Sequence, residues 1–349
     1  MSECDLQYDE AACERCETVD CLTRCQYIDL DLESARAERS KILAGEDSRV
    51  LRDCVTCYAC EERCPNGNHP FYLVVERQEQ REAWPAPVPV IQQQVGMMAP
   101  KGRIATEALT PPIIDLCAFR ALQRGCIRGS LFEGCSVVSG TDIFCNVMWL
   151  HFARNSVIRE RLPAMIANIW THYLEPSGTD EIVCFHDECY AAYTHLAPAF
   201  GIEVPFRPIH LFDFLCRRLE ALKDRIRPLG IPVVYQRPCS SRLVPEEKRW
   251  VDEIFRRIGV KRVDRTYDGD DALCCGGVFR AQQRDELADD VQERNLADMK
   301  AAGATVCVFN CPFCLFTLGE ATAERGLIPI LMSDLCLFAL GEGRLMKGV

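Results

Sequence analysis

The sequence predicts an α/β protein, a pair of parallel-sheet modules preceded by a small, mainly helical domain rich in cysteine. Three observations carry this. Cysteine runs crowd the first 64 residues, a proline-dense stretch follows them, and beyond it apolar strands alternate with longer amphipathic helices. Alternation of that kind implies a largely parallel sheet covered by helices.

In the front segment, Glu33 to Glu46 and Pro70 to Arg81 read as short helices around the cysteines, with Leu32, Leu43, Val50, Leu51, Val74 and Val75 as core positions. The run Trp84-Pro-Ala-Pro-Val-Pro89 then breaks the helical pattern and reads as a stiff connector. Domain boundaries are accordingly drawn at 1–84, a linker or extension at 85–129, a first module at 130–228 and a second at 229–349. Ile231 to Gln236 and Ala304 to Phe309 read as buried strands, Pro245 to Ile258 and Ala281 to Ala302 as helices. Val157 to Leu174, apolar at helical spacing, reads as a core or subunit-contact helix.

Composition narrows the function. The chain has 349 residues, 23 of them cysteine, with 48% hydrophobic and 26% charged residues and a net charge of -11. No bilayer-length apolar stretch and no basic-then-apolar leader is present, so the thiols are expected in a reducing cytoplasm rather than in a secreted disulfide scaffold. The acidic balance argues against nucleic acid as a partner. Neither a Gly-x-Gly-x-x-Gly loop nor a Walker loop occurs, so a flavin or nucleotide would have to come from a partner. The Arg256-Arg257 and Lys261-Arg262 cluster reads as a solvated helix face.

The run Cys54-x2-Cys57-x2-Cys60-x3-Cys64-Pro65 has the spacing of bacterial ferredoxins. There, three close thiolates hold one [4Fe-4S] cube and the fourth ligates the neighbouring one. Upstream, Cys13-x2-Cys16-x4-Cys21-x3-Cys25 resembles a second copy with two added residues and Gln26 in place of the proline. The crossed arrangement pairs Cys13, Cys16 and Cys21 with Cys64, and Cys54, Cys57 and Cys60 with Cys25, giving two [4Fe-4S] cubanes. Zinc is the competing metal, but more thiolates are present than one zinc ion uses. Cys4 lies outside the pattern and reads as a free or frayed terminal thiol.

A third constellation is Cys239, Cys274-Cys275-Gly276 and Cys311-Pro-Phe-Cys314, each part just after a strand or just before a helix. Backbone N–H groups at such places stabilise thiolates and cluster sulfides. This pattern resembles the cysteine-rich CCG domain of heterodisulfide reductases. Its fusion to a ferredoxin-type front end resembles the D-type chain of those enzymes, in which the C-type and B-type chains are fused. Anaerobic glycerol-3-phosphate dehydrogenase and lactate-utilisation iron–sulfur subunits share the layout. The resemblance implies a noncubane [4Fe-4S] cluster held by Cys239, Cys274, Cys275, Cys311 and Cys314.

Members of the family usually carry two such modules, and an internal repeat is present. Val183-Cys-Phe-His-Asp-Glu-Cys-Tyr190 aligns with Val308-Phe-Asn-Cys-Pro-Phe-Cys-Leu315 at a shift of 125 positions. The earlier copy is degenerate: His186 replaces one cysteine, Cys189 keeps the other, Gly134-Cys135-Ser136 is matched to Pro238-Cys239-Ser240, and no Cys-Cys-Gly intervenes. Cys135, His186 and Cys189, completed by Cys145, Cys184 or His151, would offer zinc a mixed nitrogen and sulfur site. The alternative is that these are packed core residues left by a lost site. Cys117, Cys126, Cys216, Cys307 and Cys336 read as core.

Because the resemblance places disulfide cleavage between two facing noncubane clusters, one intact module favours electron relay over substrate chemistry. The expectation is an electron-transfer subunit of a hetero-oligomeric oxidoreductase, exchanging electrons with a flavoprotein that resembles the A-type chain of heterodisulfide reductase and with other redox subunits. Electron-bifurcating and benzoyl-CoA reductase-type complexes use such subunits. The alternatives are a catalytic thiol–disulfide reductase and a non-redox zinc scaffold.

Overall fold

The computed structural model describes residues 8–119, 124–343 and 345. Cys4 lies outside them. Residues from Glu10 to Gln80 form a mainly helical unit in which helices Leu32–Leu43 and Pro70–Gln80 are the longest pieces. Asp31 caps the first, accepting the Ser34 N–H at 2.7 Å. Leu43, Val50, Leu51 and Val74 join one buried cluster there. Leu32, expected in the core, is 41% exposed, because as the first helical residue it points away from the packed face.

Two sheets follow with the same topology. Strands β1 (Ile113–Asp115), β2 (Ser136–Val138), β3 (Glu181–Cys184) and β4 (Arg207–His210) pair in the order β2-β1-β3-β4. Strands β5 (Pro232–Gln236), β6 (Lys261–Arg262), β7 (Val306–Phe309) and β8 (Ile328–Leu331) pair in the order β6-β5-β7-β8. All pairings are parallel. Helices on both faces bury these strands, which is why β7 reads Val-Cys-Val-Phe without alternation.

The boundary drawn at 130 cuts through the first sheet, since β1 lies within the segment 85–129. A three-residue strand, Ile-Ile-Asp, leaves too short a pattern to read. Within the same segment, the proline-dense connector ends earlier than its composition implies: a helix begins at Val88 and takes Pro89 into its first turn, where a missing N–H costs nothing.

Helix Glu247–Ile258 packs on Leu211–Ala221 and buries Trp250, Val251, Ile254, Phe255 and Ile258. Burial of each aliphatic side chain stabilises by about 1.5–3 kcal/mol. Gly259 ends it in the left-handed region at φ 66°, and a Cβ there would stand 2.7 Å from the Pro228 Cβ. The single helix expected over 281–302 is two, Gly277–Ala281 and Asp285–Ala301, broken at Gln283, whose φ is 62°. Arg257 and Arg262 are engaged by Glu220, Glu253, Asp252 and Asp268, so this basic cluster is a paired surface.

Candidate metal and redox centres

Each sheet delivers its cysteines at the carboxyl ends of its strands. In the second module, β5 is followed by Cys239, β7 by Cys311 and Cys314, and the loop after β6 by Cys274 and Cys275. Gly276 closes that loop in the left-handed region at φ 82° and starts a helix, and its N–H donates to the Cys274 Sγ at 3.4 Å. All except the half-exposed Cys311 are buried. Hydrogen bonds from the Cys274 and Cys314 thiols hold the Cys275 thiol down at about 6. Its neighbours go the other way: the Cys275 bond, then that of Cys311, then burial push Cys314 well up.

The first module repeats this arrangement with different residues. Asp115 of β1 pairs with Cys184 of β3, as Gln236 of β5 pairs with Phe309 of β7. Two residues beyond β3 stands His186, as Cys311 stands two beyond β7, and Cys189 follows where Cys314 does. Just past β1 comes Cys117, two residues beyond its strand where Cys239 stands three beyond β5. Phe144-Cys145-Asn146 takes the place of Cys274-Cys275-Gly276, and Asn146 adopts the left-handed conformation at φ 62°, ψ 0°, against φ 82°, ψ -9° for Gly276.

These residues meet. The Sγ atoms of Cys117, Cys145 and Cys189 lie within 4.8 Å of one another, all buried, and no other such group occurs among the described residues. Cys117 Sγ is 3.7 Å from Cys145 Sγ, and His186 Nδ1 is 3.8 Å from Cys189 Sγ. Hydrogen bonds from Cys117 and Cys189 hold the Cys145 thiol down at about 6, the mirror of Cys275. Burial pushes Cys117 up to about 12 and holds the His186 imidazole below its ordinary value.

The set drawn from sequence therefore needs correction. Cys135 precedes β2, at its amino end rather than the carboxyl ends where the thiol group gathers, and stands 3.9 Å from the Arg218 Nη2. Its place belongs to Cys117, which the sequence assigns to the core because β1 and its register were invisible. Cys184 lies inside β3, and His151 serves elsewhere.

A cavity of about 210 Å³ separates the two modules' cysteine sets, lined by Cys117, Cys145 and His186 on one side and Cys239, Cys275 and Cys311 on the other. Asp187 locks its rim across the modules. It receives His210 Nε2 at 2.9 Å, Ser240 Oγ at 3.0 Å and Asn310 Nδ2 at 3.3 Å, and Ser240 and Asn310 flank Cys239 and Cys311.

In the helical unit the eight thiols fall into two neighbourhoods. Cys21 is pushed up by burial and then by the thiols of Cys64, Cys13 and Cys16. Cys54 is pushed up to about 12 by burial, with Cys57 and Cys25 as neighbouring thiols, and Cys60 is raised by burial, then Glu61, Cys54 and Cys57. Cys21, Cys25, Cys54, Cys57 and Cys60 line a cavity of about 40 Å³. Such closely gathered thiols in apolar surroundings form a donor set suited to iron or zinc.

This unit docks on both modules beside the second module's cysteines. The Cys274 N–H donates to the Tyr27 hydroxyl at 3.4 Å. Thr56, at φ 56° between Cys54 and Cys57, offers its carbonyl to His151 Nδ1 at 2.8 Å. Gln282 Nε2 donates to the Thr56 hydroxyl at 3.0 Å and the His151 carbonyl at 2.6 Å. Neither Tyr27 nor His151 carries a sequence signal for this role, since the contacts span 247 and 95 positions.

Comparison with known proteins gives a narrow result. A model of the CCG cysteine-rich domain matches residues 233–319, so the chain contains such a domain over most of its second module. No curated protein matches. Among solved structures, the chain is similar to a hypothetical protein from Helicobacter pylori, at TM-score 0.54 and 8% identity over 82% of this chain and 61% of that one. That likeness concerns the fold alone, and the chain spans 61% of the neighbour's length. The cysteine-rich domain and the buried thiol groups point to metal or iron–sulfur binding and a redox role. Among the described residues, no helix is long and apolar enough to cross a membrane.

Proposed function

We propose that the chain is an electron-transfer subunit of a larger oxidoreductase, with two [4Fe-4S] cubanes in a ferredoxin-type front unit and one noncubane cluster in the second module. The observation that carries this reading is the contact from Cys54-x-Thr56-Cys57 through His151 to Cys239. It joins the front thiols to the second module's thiols through the Thr56 main-chain carbonyl and the buried His151 side chain. Cys13, Cys16, Cys21 and Cys64 would hold one cubane and Cys25, Cys54, Cys57 and Cys60 the other, in keeping with the two thiol neighbourhoods. Cys239, Cys274, Cys275, Cys311 and Cys314 would hold the third. When bound, such clusters supply one-electron chemistry, and the chain's part is spacing, burial and hydrogen bonding to sulfur.

The residues at hand do that work through donors that need not move. N–H groups of Thr56, Asn68 and Gly276 donate to the sulfurs of Cys54, Cys64 and Cys274 at 3.3–3.4 Å, and such bonds favour a charged thiolate. Apolar side chains such as Phe119, Phe144, Met148, Phe152 and Val278 line most of the cavity between the modules.

The second reading is a thiol–disulfide reductase working in the 210 Å³ cavity, which both thiol sets line. Purification from native cells under anaerobic conditions separates the two. A relay subunit copurifies with a flavin-containing partner and shows no disulfide turnover alone. A chain that runs alone and reduces disulfides with an artificial donor overturns the relay.

A further inference from the structure

We infer that the Tyr58 hydroxyl is a fixed hydrogen-bond donor to the second module's centre, reaching it from the front unit and setting how readily it takes an electron, a role that rests on the iron–sulfur reading above. Three observations carry it. The first is burial without a partner: Tyr58 is 0% exposed, and its hydroxyl oxygen has no hydrogen-bond partner among the described residues. Such a group has given up its bonds to water and gained none from the chain, which is costly and rare in folded proteins, and it calls for a partner outside the polypeptide.

The second is the backbone. Tyr58 stands between Cys57 and Cys60 at φ 64°, in the left-handed region, where an L side chain is strained and a glycine would not be. It precedes the helix Ala59–Arg63 without capping it through its side chain, so helix initiation does not explain the residue type. Strain of this kind persists where the surroundings enforce it, and it collects at functional positions. Here Phe71 at 4.2 Å and the edge-on His151 at 4.7 Å hold the ring.

The third is direction. Burial first, then Cys239, Glu188, Tyr72 and Cys145, push the phenol well above its ordinary range, so the oxygen keeps its proton and remains a neutral donor. Cys239, Glu188 and Cys145 all line the 210 Å³ cavity between the modules, as does the His151 on which the ring packs. Cys239 acts on the hydroxyl more strongly than the other three, and it is one of the five cysteines that would hold the second module's cluster.

A hydrogen bond to cluster sulfur favours the more negative state and so raises the reduction potential. In the step concerned, one electron leaves the front-unit cubane, which is oxidised, and enters the second module's centre, which is reduced, while the hydroxyl keeps its proton. Tyr58 lies between two cysteines of the donor cubane, so the segment that holds the donor also tunes the acceptor.

The test is a redox titration of the full chain, purified anaerobically and followed by electron paramagnetic resonance, with wild type beside Tyr58→Phe. Reduction of the second module's centre should become about tenfold less favourable, a midpoint lower by about 59 mV for one electron, while the front-unit midpoints move less. In deuterium oxide, electron–nuclear double resonance should show an exchangeable deuteron coupled to that centre in wild type and lost in Tyr58→Phe. A ring-fluorinated tyrosine at position 58, a stronger donor of nearly the same shape, should raise the midpoint, and it decides should Tyr58→Phe fold poorly. A midpoint that is unmoved, or moves no more than those of the front unit, or a deuteron coupling that survives in Tyr58→Phe overturns the role and leaves the iron–sulfur reading standing. A wild type with no cluster in the second module overturns both.

Discussion

His151 reaches Cys239 from the first module: its Nε2 lies 3.8 Å from the Cys239 Sγ, while its Nδ1 lies 2.8 Å from the Thr56 carbonyl. Since that carbonyl can only accept, Nδ1 carries a proton toward it, and Nε2 faces the sulfur. A single buried imidazole thus touches all three parts of the chain. Tyr58 packs edge-on against it at 4.7 Å.

Replacing His151 with Phe preserves volume but strands the Thr56 carbonyl and forfeits a buried hydrogen bond. The expected cost is about 1–3 kcal/mol, measured by denaturant unfolding. In the relay reading, reduction of the second module's centre by electrons entering at the front unit slows in the same variant, as rapid-freeze spectroscopy would follow. A slowdown without a stability change, or neither, counts against the contact.

Glu62 fastens the front unit to the second module through Arg237, at 2.7 Å to each oxygen, with Arg242 and Lys248 at 3.2 and 3.0 Å. Burial opposes its charge, but the hydrogen bonds and charge of Arg237, then Arg242 and Lys248, hold the carboxyl at about 2. Its folded value lies below its ordinary 4.5, so the stability it lends is fully present above that pH and is lost as pH falls towards 2. Removing it by Glu62→Gln leaves two buried guanidiniums without their carboxylate, at a cost of about 3 kcal/mol at neutral pH. Hydrogen exchange at the docking surface should rise in the variant at pH 7 and differ little from wild type near pH 2.

Glu247 has the opposite sign. Burial first, then the Asp187 charge, raise its carboxyl to about 8, and the Tyr235 hydroxyl donates to it at 2.6 Å. A folded value above the unfolded 4.5 means stability present below pH 4.5 and lost progressively as pH rises through 8. Glu247→Gln keeps an acceptor for Tyr235 without the charge. Its thermal midpoint should fall less than that of the wild type between pH 5 and 8, and parallel curves would refute the assignment.

Gly276→Ala tests the loop that presents Cys274 and Cys275. At φ 82° an L side chain is strained by about 1–2 kcal/mol, and the new Cβ would stand 2.8 Å from Gln292 Nε2 and 3.2 Å from the Ala288 carbonyl oxygen. Calorimetry should show that loss or more, and cysteine accessibility to alkylation at this loop should rise.

How much of this was legible in the sequence depended on pattern length. Val233 to Tyr235 and Val306 to Phe309 are continuous apolar runs between clear turns, and the structure places strands there. The repeat was visible because 183 to 190 align with 308 to 315 at one constant shift, yet β1 at Ile113–Asp115 was too short to see, and with it went the register that makes Cys117 the partner of Cys145 and Cys189. Cys135 attracted the assignment through its Gly-Cys-Ser neighbours alone. Leu32 shows the same limit at a helix end, where periodicity predicts a face but not the first turn's direction. Tyr27 and His151 act through contacts far apart in sequence, and no local pattern encodes those.

The central claim, iron–sulfur relay through three centres, is tested most directly by iron and sulfide analysis with electron paramagnetic resonance on anaerobically purified protein, beside a Cys274→Ser, Cys275→Ser double variant. Three four-iron centres predict about twelve irons per chain, falling to about eight in the variant with the two front-unit signals retained. About eight irons in both proteins, or none, would contradict it.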